Sequence, residues 1–161
     1  MTKIEKLKYV PPEKGFYIAG FVDGEGSFYI SARKRKDYMT GWKFTIAFNI
    51  GNKDRAVLEI CRKYLGCGKI RESRKDFYTF EVSNRETIKN FIIPFFKKFN
   101  FLSNKKKHEF SIFQAAVKKL DFGIHTKTDL EEILVFRVNL NKFRKTRISN
   151  QDEEIRQSFR V

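Results

Sequence analysis

The chain has 161 residues and a formal net charge of +15 at pH 7, because 34 lysines and arginines outnumber 19 aspartates and glutamates. Hydrophobic residues make up 41% of it and include 18 phenylalanines, which is enough apolar surface for a packed core and excludes a disordered basic tail. The length and apolar content predict one folded domain, and the positive charge predicts that its partner is a polyanion.

The sequence also disfavours membrane, secreted and zinc-binding proteins. No apolar run is long enough to cross a bilayer, and residues 1–10 lack the apolar segment of a signal peptide. Cys61 and Cys67 are spaced unlike zinc ligands, and His108 and His125 are not spaced like partners for them. We therefore expect reduced thiols in an intracellular protein that binds nucleic acid and does not enter a membrane.

After a basic lead-in over residues 1–12, the first predicted element is a helix from Glu13 to Gly24. Gly20 and Gly24 lie four positions apart and so share a helix face, although glycine inside a helix costs about 1 kcal/mol relative to alanine. They predict a surface on which another helix approaches closely. Asp23 and Glu25 lie at the C-terminal end of this helix, where the helix dipole disfavours carboxylates. Together with the last carbonyl oxygens of the helix they form a cluster of oxygen ligands suited to magnesium.

Two hairpins are predicted next along the chain. Residues 27–35 and 42–50 alternate between apolar and polar side chains, and a turn over residues 36–41 joins them. A helix capped by Asn52 or Asp54 and ended by Gly66 separates this hairpin from a second one, in which residues 69–73 pair with residues 77–82. In both hairpins the outer face is polar and partly basic.

The second half of the chain is predicted to be helical. Ser83 and Glu86 form a capping box for a helix that Pro94 breaks or restarts. Ser103 or Asn104 opens a helix through about Leu120, and Thr126 or Thr128 opens the last long one, through about Lys142. The charged tail from Phe143 is expected to be mobile at its end. This order predicts an α+β fold with one antiparallel sheet, covered by helices on one face.

The stretch from Tyr17 to Gly26 resembles the signature decapeptide of the LAGLIDADG homing endonucleases. Small residues stand at 19, 20, 24 and 26 and acids at 23 and 25, with Glu25 in place of the family's aspartate. The resemblance covers roughly residues 13–120 and implies the αββαββα fold, with a sheet that forms a DNA-binding saddle and helices on the opposite face. Residues 1–161 would be a single domain, with a core over about 13–120 and a C-terminal helix and basic tail over about 121–161.

The resemblance also implies an assembly and an activity. The signature occurs once, and single-signature members of the family are homodimers joined through this helix. The implied interface residues are Tyr17, Gly20, Phe21 and Gly24. The implied enzyme is an intron-encoded homing endonuclease that hydrolyses phosphodiesters in both DNA strands and leaves staggered ends. Glu25 and the Gly24 carbonyl would hold Mg²⁺, Asn52 matches the family's polar residue at the end of the second strand, and Lys105 or Lys106 matches its active-site lysine.

The outer faces of the hairpins are expected to lie in the major groove of double-stranded DNA. Nine strand residues at about 3.3 Å each span about nine base pairs, which gives a target of roughly 20 base pairs for two copies. The residues expected to contact DNA are Tyr29, Ser31, Arg33, Arg35, Lys43, Thr45, Asn49, Lys69, Arg71, Ser73, Phe77 and Thr79.

The alternative function is a non-cleaving RNA- or DNA-binding protein of the same fold, such as a maturase-like helper of intron splicing. A basic sheet serves both functions, so net charge does not separate them. The intact acid at Glu25 favours the nuclease, since loss of catalysis usually relaxes the need for it. A ribosomal-type structural protein would not explain Gly20 and Gly24 together with Glu25.

Overall fold

The computed structural model describes residues 3–141 and 151–159. Its helices are α1 (Lys3–Lys8), α2 (Pro12–Glu25), α3 (Arg55–Leu65), α4 (Arg85–Thr87), α5 (Ile93–Lys98), α6 (Asn104–Phe122), α7 (Lys127–Asn141) and α8 (Gln151–Ser158), with a π-helical segment, Ile88–Ile92, between α4 and α5. Its strands are β1 (Gly26–Lys34), β2 (Trp42–Asn52), β3 (Lys69–Arg74) and β4 (Phe77–Val82).

The four strands form one sheet in the order β1-β2-β4-β3. Strand β4 pairs antiparallel with β2 on one side, where Phe80 stands opposite Ile50, and with β3 on the other, where Phe80 stands opposite Ile70. The predicted α+β fold with an antiparallel four-stranded sheet is confirmed. The observed strand bounds differ from the predicted ones by two residues at most.

The chain divides into two compact units, each with its own aromatic core. The first comprises the described residues of 1–27 and 47–108, and the second those of 28–46 and 109–161. In the first unit the buried Phe96 lies between Phe48 and Phe101, with ring centroids 5.6 Å and 4.6 Å away. In the second unit the buried Phe28 packs on Phe113, with centroids 4.6 Å apart. The inward residues of the strands meet helices in each unit, as the alternating patterns predict.

Of two predicted helix starts, the first differs from the sequence-based expectation and the second agrees with it. Asn84, not Ser83, caps α4, because its side-chain oxygen lies 2.9 Å from the N–H of Thr87, three residues on. At Pro94 the helix restarts, which is one of the two predicted outcomes. Ile93 donates its N–H to the carbonyl oxygen of Ile88, and Pro94 falls in the first turn of α5, where its missing N–H costs little.

The ends of the chain also depart from expectation. The basic lead-in contains helix α1, and the charged tail contains helix α8, in which Asp152 and Ile155 are buried. Residues 142–150, which the expected mobile tail also covers, lie outside the described residues. Neither 3–141 nor 151–159 holds a helix with the length and apolar character to cross a bilayer.

Candidate active site and nucleic-acid interface

One face of α2 has no neighbouring atoms over its two glycines. A Cβ atom built on Gly20 or Gly24 would meet nothing within 4 Å. Tyr17, on the same face, is 52% exposed, and its ring stacks on that of Phe21 with centroids 6.3 Å apart. The other face is packed, and its Ile18 is fully buried. The four predicted interface residues thus share one stripe of α2, in which Phe21 is half-buried and the other three are exposed.

Helix α2 ends at the exposed Glu25, and Gly26 starts β1 at the next position. Gly26 adopts an extended backbone with φ −82° and ψ 151°. A Cβ atom there would lie 2.5 Å from Cγ1 of Val22, so any larger residue would push this junction apart. Gly26 therefore allows the carboxylate of Glu25 to sit where the helix meets the sheet.

Asp23 has a different role from the one its sequence position indicates. Its carboxylate accepts a 2.5 Å hydrogen bond from the hydroxyl of Ser103 and a 3.1 Å bond from the Ser103 N–H. Partial burial alone would raise the pKa of Asp23, but these hydrogen bonds and the charge of Lys106 hold that pKa below its ordinary value. Asp23 thus fixes the start of α6, and its expected place in a magnesium site stays a prediction.

The two lysine candidates differ in burial. The Nζ atom of Lys106 donates a 2.7 Å hydrogen bond to the carbonyl oxygen of Gly26, and the side chain is only 4% exposed. Its N–H also bonds Ser103 Oγ, 3.1 Å away, as part of the cap of α6. Lys105 is exposed. The structure therefore brings Lys106, not Lys105, to the residue that follows Glu25.

Asn52 lies at the end of β2, as expected. Its side-chain oxygen accepts the N–H of Asp54 at 2.8 Å, and Asp54 in turn caps α3 by accepting the N–H of Ala56. This arrangement leaves the amide nitrogen of Asn52 as the group that can meet a ligand. The hydrogen bonds of Asn52 join it to the start of α3 and not to the end of α2.

Of the two cysteines, Cys61 is buried and Cys67 is half-buried. Among residues 3–141 and 151–159, no three His, Cys, Asp or Glu side chains gather closely enough to hold a metal ion. Burial raises the pKa of Cys61 to about 11 and that of Cys67 to about 12, so both thiols are protonated at neutral pH.

The outer face of the β3–β4 hairpin in the first unit carries the expected polar ladder. Asn49 stands opposite Glu81, which stands opposite Lys69, and the next rung joins Thr79 to Arg71. Lys69, Arg71 and Ser73 are exposed, and Asn49, Phe77 and Thr79 are half-buried. All six DNA-contact candidates of this unit are therefore accessible.

The first hairpin of the second unit carries the other six candidates. Ser31 and Arg33 are exposed, and Tyr29, Arg35, Lys43 and Thr45 are half-buried. The hydroxyl of Ser31 donates to the Thr45 carbonyl oxygen at 3.4 Å. Arg35 follows the end of β1 and is held by two hydrogen bonds to Asp37, of 2.8 Å and 2.7 Å, which lower the pKa of Asp37 to about 2. The charge of Arg35 is thus already compensated, which weakens it as a DNA contact.

The sequence model of the LAGLIDADG endonucleases matches residues 18–117, well over half of the chain. The chain belongs to the LAGLIDADG endonuclease family. Solved LAGLIDADG structures share its fold. The archaeal intron-encoded homing endonuclease I-Vdi141I, complexed with DNA, has a TM-score of 0.79 at 28% identity, and the match covers 91% of this chain and 96% of that one. I-SmaMI, bound to an uncleaved DNA target in the presence of calcium ions, has a TM-score of 0.77 at 26% identity, over 90% of this chain and 48% of that one.

Curated LAGLIDADG relatives are longer than this chain. The probable intron-encoded endonuclease 2 of Neurospora crassa is 35% identical over 130 residues, which cover 78% of this chain and 28% of that protein. The chain spans 24–35% of the length of the first curated relatives that it matches.

Ser103, Gly15 and Arg74 have structural roles that the sequence patterns do not fully predict. Ser103 bonds Asp23 and also caps α6 by accepting the N–H of Lys106. The capping role is indicated by the position of Ser103 three residues before Lys106. Gly15 lies against the ring of Phe99, where a Cβ atom would come within 2.3 Å, a contact visible only in three dimensions. Arg74 faces outward because of an irregularity in β3 that alternation does not predict.

Proposed function

We propose that the chain is a site-specific homing endonuclease, intron-encoded and acting inside the cell, that cuts both strands of duplex DNA. The observation that supports this most is the junction at Gly26. There the exposed Glu25 directly precedes Gly26, and the buried Lys106 donates from its Nζ to the Gly26 carbonyl oxygen at 2.7 Å. An acid able to hold a cation beside a fixed positive charge suits the hydrolysis of a phosphodiester.

The donors at this junction fit a hard divalent cation. The carboxylate of Glu25 is exposed, and the carbonyl of Gly24 belongs to the last turn of α2, where helix carbonyls lack intrahelical donors. We infer that Glu25 and Gly24 hold Mg²⁺. When bound, the ion would lower the pKa of a water molecule and offset the charge of phosphate oxygens.

Lys106, Asn52 and Lys105 would contribute to the reaction by placing a charge or a hydrogen-bond donor near the DNA. The side chain of Lys106 is buried and its Nζ is bonded to the Gly26 carbonyl oxygen, so its charge is held at the residue after Glu25 without the flexibility of a surface lysine. Asn52 can orient a water molecule through its amide nitrogen, since its oxygen is bonded to Asp54. The exposed Lys105 is suited to a second contact with the DNA backbone.

We infer that two copies of the chain join through α2 as a C2 homodimer, each supplying one Glu25. The stripe of Tyr17, Gly20, Phe21 and Gly24 is exposed or half-buried, with open space at both glycines, which lets a second helix approach closely. The chain covers only 48% of I-SmaMI, which leaves room in that protein for a second unit of this size. Each copy would act as one domain, because the family match runs through both compact units.

The outer strand faces of each copy would contact about nine base pairs, and two copies a target of roughly 20. The contact residues proposed are those predicted from the sequence, Arg35 being the weakest of them because Asp37 already engages it.

A cleavage assay with matched glutamate variants tests the proposal. The full chain, Glu25→Gln and Glu13→Gln are each incubated with Mg²⁺ and a plasmid library of randomised inserts, and the ends of linearised DNA are sequenced. Glu13 lies in the first turn of the same helix and is exposed, so its variant controls for loss of one negative charge. We expect recurrent ends from wild type and Glu13→Gln, and at least a ~100-fold loss of cleavage for Glu25→Gln with DNA binding retained.

Two results would contradict this. Cleavage by Glu25→Gln at the wild-type rate would remove the metal role of Glu25. Binding without cleavage by all three proteins would instead support the non-cleaving nucleic-acid-binding function.

A further inference from the structure

The β3–β4 hairpin contains a β-bulge that changes which side chains face outward. Tyr78 stands opposite Glu72, but its neighbour Phe77 stands opposite Arg74, so Ser73 is an additional residue in β3. In a regular strand Arg74 would lie on the face opposite to Arg71. The bulge instead places Arg74 on the outer face together with Phe77.

Arg74 rests on an aromatic platform. The guanidinium carbon of Arg74 lies 4.5 Å from the ring centroid of Phe77. That ring in turn covers Gly51 of β2, where a Cβ atom would come within 2.8 Å of the ring atom Cζ. We call these three residues the Phe77–Arg74 stack. Its position is set by packing against the backbone of β2, not by a flexible side chain alone.

The bulge is held by hydroxyl groups. Ser73 Oγ donates to the carbonyl oxygen of Phe77 at 3.2 Å and accepts from the Thr79 hydroxyl at 3.0 Å. The hydroxyl of Ser73 is therefore engaged within the hairpin, and the bulge that it secures turns Arg74 outward. Within the described parts of the chain Arg74 has no carboxylate partner, in contrast to Arg35 with Asp37.

We propose that Arg74 reads a guanine in the major groove, with Phe77 as its platform. This rests on the DNA-binding function proposed above. The planar guanidinium has donors in a fork that matches O6 and N7 of guanine. An arginine already placed over a ring loses less rotamer freedom on binding than a free surface lysine or arginine does. Arg74 is thus a specificity-determining residue, and Phe77 positions it.

Selection from a pool of randomised duplex DNA, with calcium in place of magnesium, tests the assignment. The proteins compared are wild type, Arg74→Ala, Arg74→Lys, Phe77→Leu and Lys75→Ala; Lys75 is the exposed neighbour and controls for loss of one positive charge. We expect wild type and Lys75→Ala to select the same consensus. Arg74→Ala and Arg74→Lys should lose about 10-fold or more of the preference for guanine at one position of each half-site and keep the others. Phe77→Leu should weaken the same position.

The outcomes separate this inference from the proposed function. If wild type selects a consensus and Arg74→Ala selects the same one with equal preference throughout, the assignment is wrong. A uniform loss of affinity by Arg74→Ala, without a change of consensus, would make Arg74 a phosphate contact and also overturn it. Wild-type preference retained by Arg74→Lys would show that charge alone suffices, and the assignment of a two-donor contact with guanine would be wrong. If wild type enriches nothing, DNA recognition itself fails, and this inference fails with it.

Discussion

At the scale of single residues, Asp23 shows how one carboxylate links two distant segments. Its oxygens accept the hydroxyl and N–H of Ser103, whose Oγ accepts the N–H of Lys106, and Lys106 reaches back to Gly26. The chain of contacts thus begins and ends at the C-terminus of α2, on either side of Glu25. Asp23 is a positioning residue, because it holds the helix that presents the buried ammonium.

Replacing Asp23 with asparagine tests this link through stability. The folded-state pKa of Asp23 lies below its ordinary value of 3.8, so its stabilisation is complete above that pH and fades as the pH falls through the lower folded-state pKa. We expect Asp23→Asn to lower the free energy of unfolding by about 1–2 kcal/mol at pH 7, with a difference from wild type that shrinks in acid. Urea unfolding across pH measures it. Asp76→Asn, in the exposed hairpin turn, is the control, and equal stability of Asp23→Asn and wild type at pH 7 would refute the link.

At the scale of elements, α8 protects an edge of the sheet. Strand β1 is an edge strand, and its carbonyl oxygens are met by side chains: Arg137 Nε donates to Ile30 at 3.2 Å, and Gln151 Nε2 donates to Ala32 at 3.2 Å. Arg137 is 8% exposed and also binds the carboxylate of Asp152, at the start of α8. Helices α7 and α8 therefore occupy backbone acceptors that would otherwise invite another strand.

The pair of Arg137 and Asp152 should be costly to break. Replacing Asp152 with alanine leaves a buried guanidinium without its carboxylate, which costs about 3–5 kcal/mol. We expect thermal and urea unfolding of Asp152→Ala to show that loss, and Glu153→Ala, which removes an exposed neighbouring acid, to show almost none. An equal loss of unfolding free energy in both variants would mean that the acids of α8 affect stability only through their charge and that the contact of Asp152 with Arg137 is not special.

The elements also show what sequence patterns predict and where they stop. Alternation of apolar and polar residues predicts both hairpins, and the spacing of Gly20 and Gly24 predicts the open face of α2. Both features are predictable because they depend on residues close together in the sequence. The bulge at Ser73 and the choice of Lys106 over Lys105 depend on partners in other strands and helices, namely Phe77 and Gly26. Helix α8 was missed for the same reason, since its charged sequence looks solvated until Arg137 is placed beside Asp152.

At the scale of the whole molecule, the proposed cutting of both DNA strands would need two active sites, and the chain has one signature. Under the proposed function each DNA strand would need one Glu25 carboxylate and one Lys106 ammonium, and each copy of the chain supplies one of each. A homodimer through α2 would place the two glutamates side by side, where their repulsion favours the binding of cations between them. In the proposed dimer, assembly and cleavage would therefore both depend on Gly20 and Gly24.

A bulky side chain at Gly20 separates the two roles of α2. Nothing lies within 4 Å of a Cβ atom at this position, so Gly20→Leu should not disturb the single chain and should stabilise its helix by about 0.5–1 kcal/mol. In the dimer the same side chain would hold the two helices apart. We expect sedimentation to give a dimer for wild type and for Ala56→Leu, which adds a similar side chain at an exposed site on α3, and a monomer for Gly20→Leu, together with loss of double-strand cleavage. A wild-type monomer, or a Gly20→Leu dimer of unchanged dissociation constant, would rule out assembly through α2.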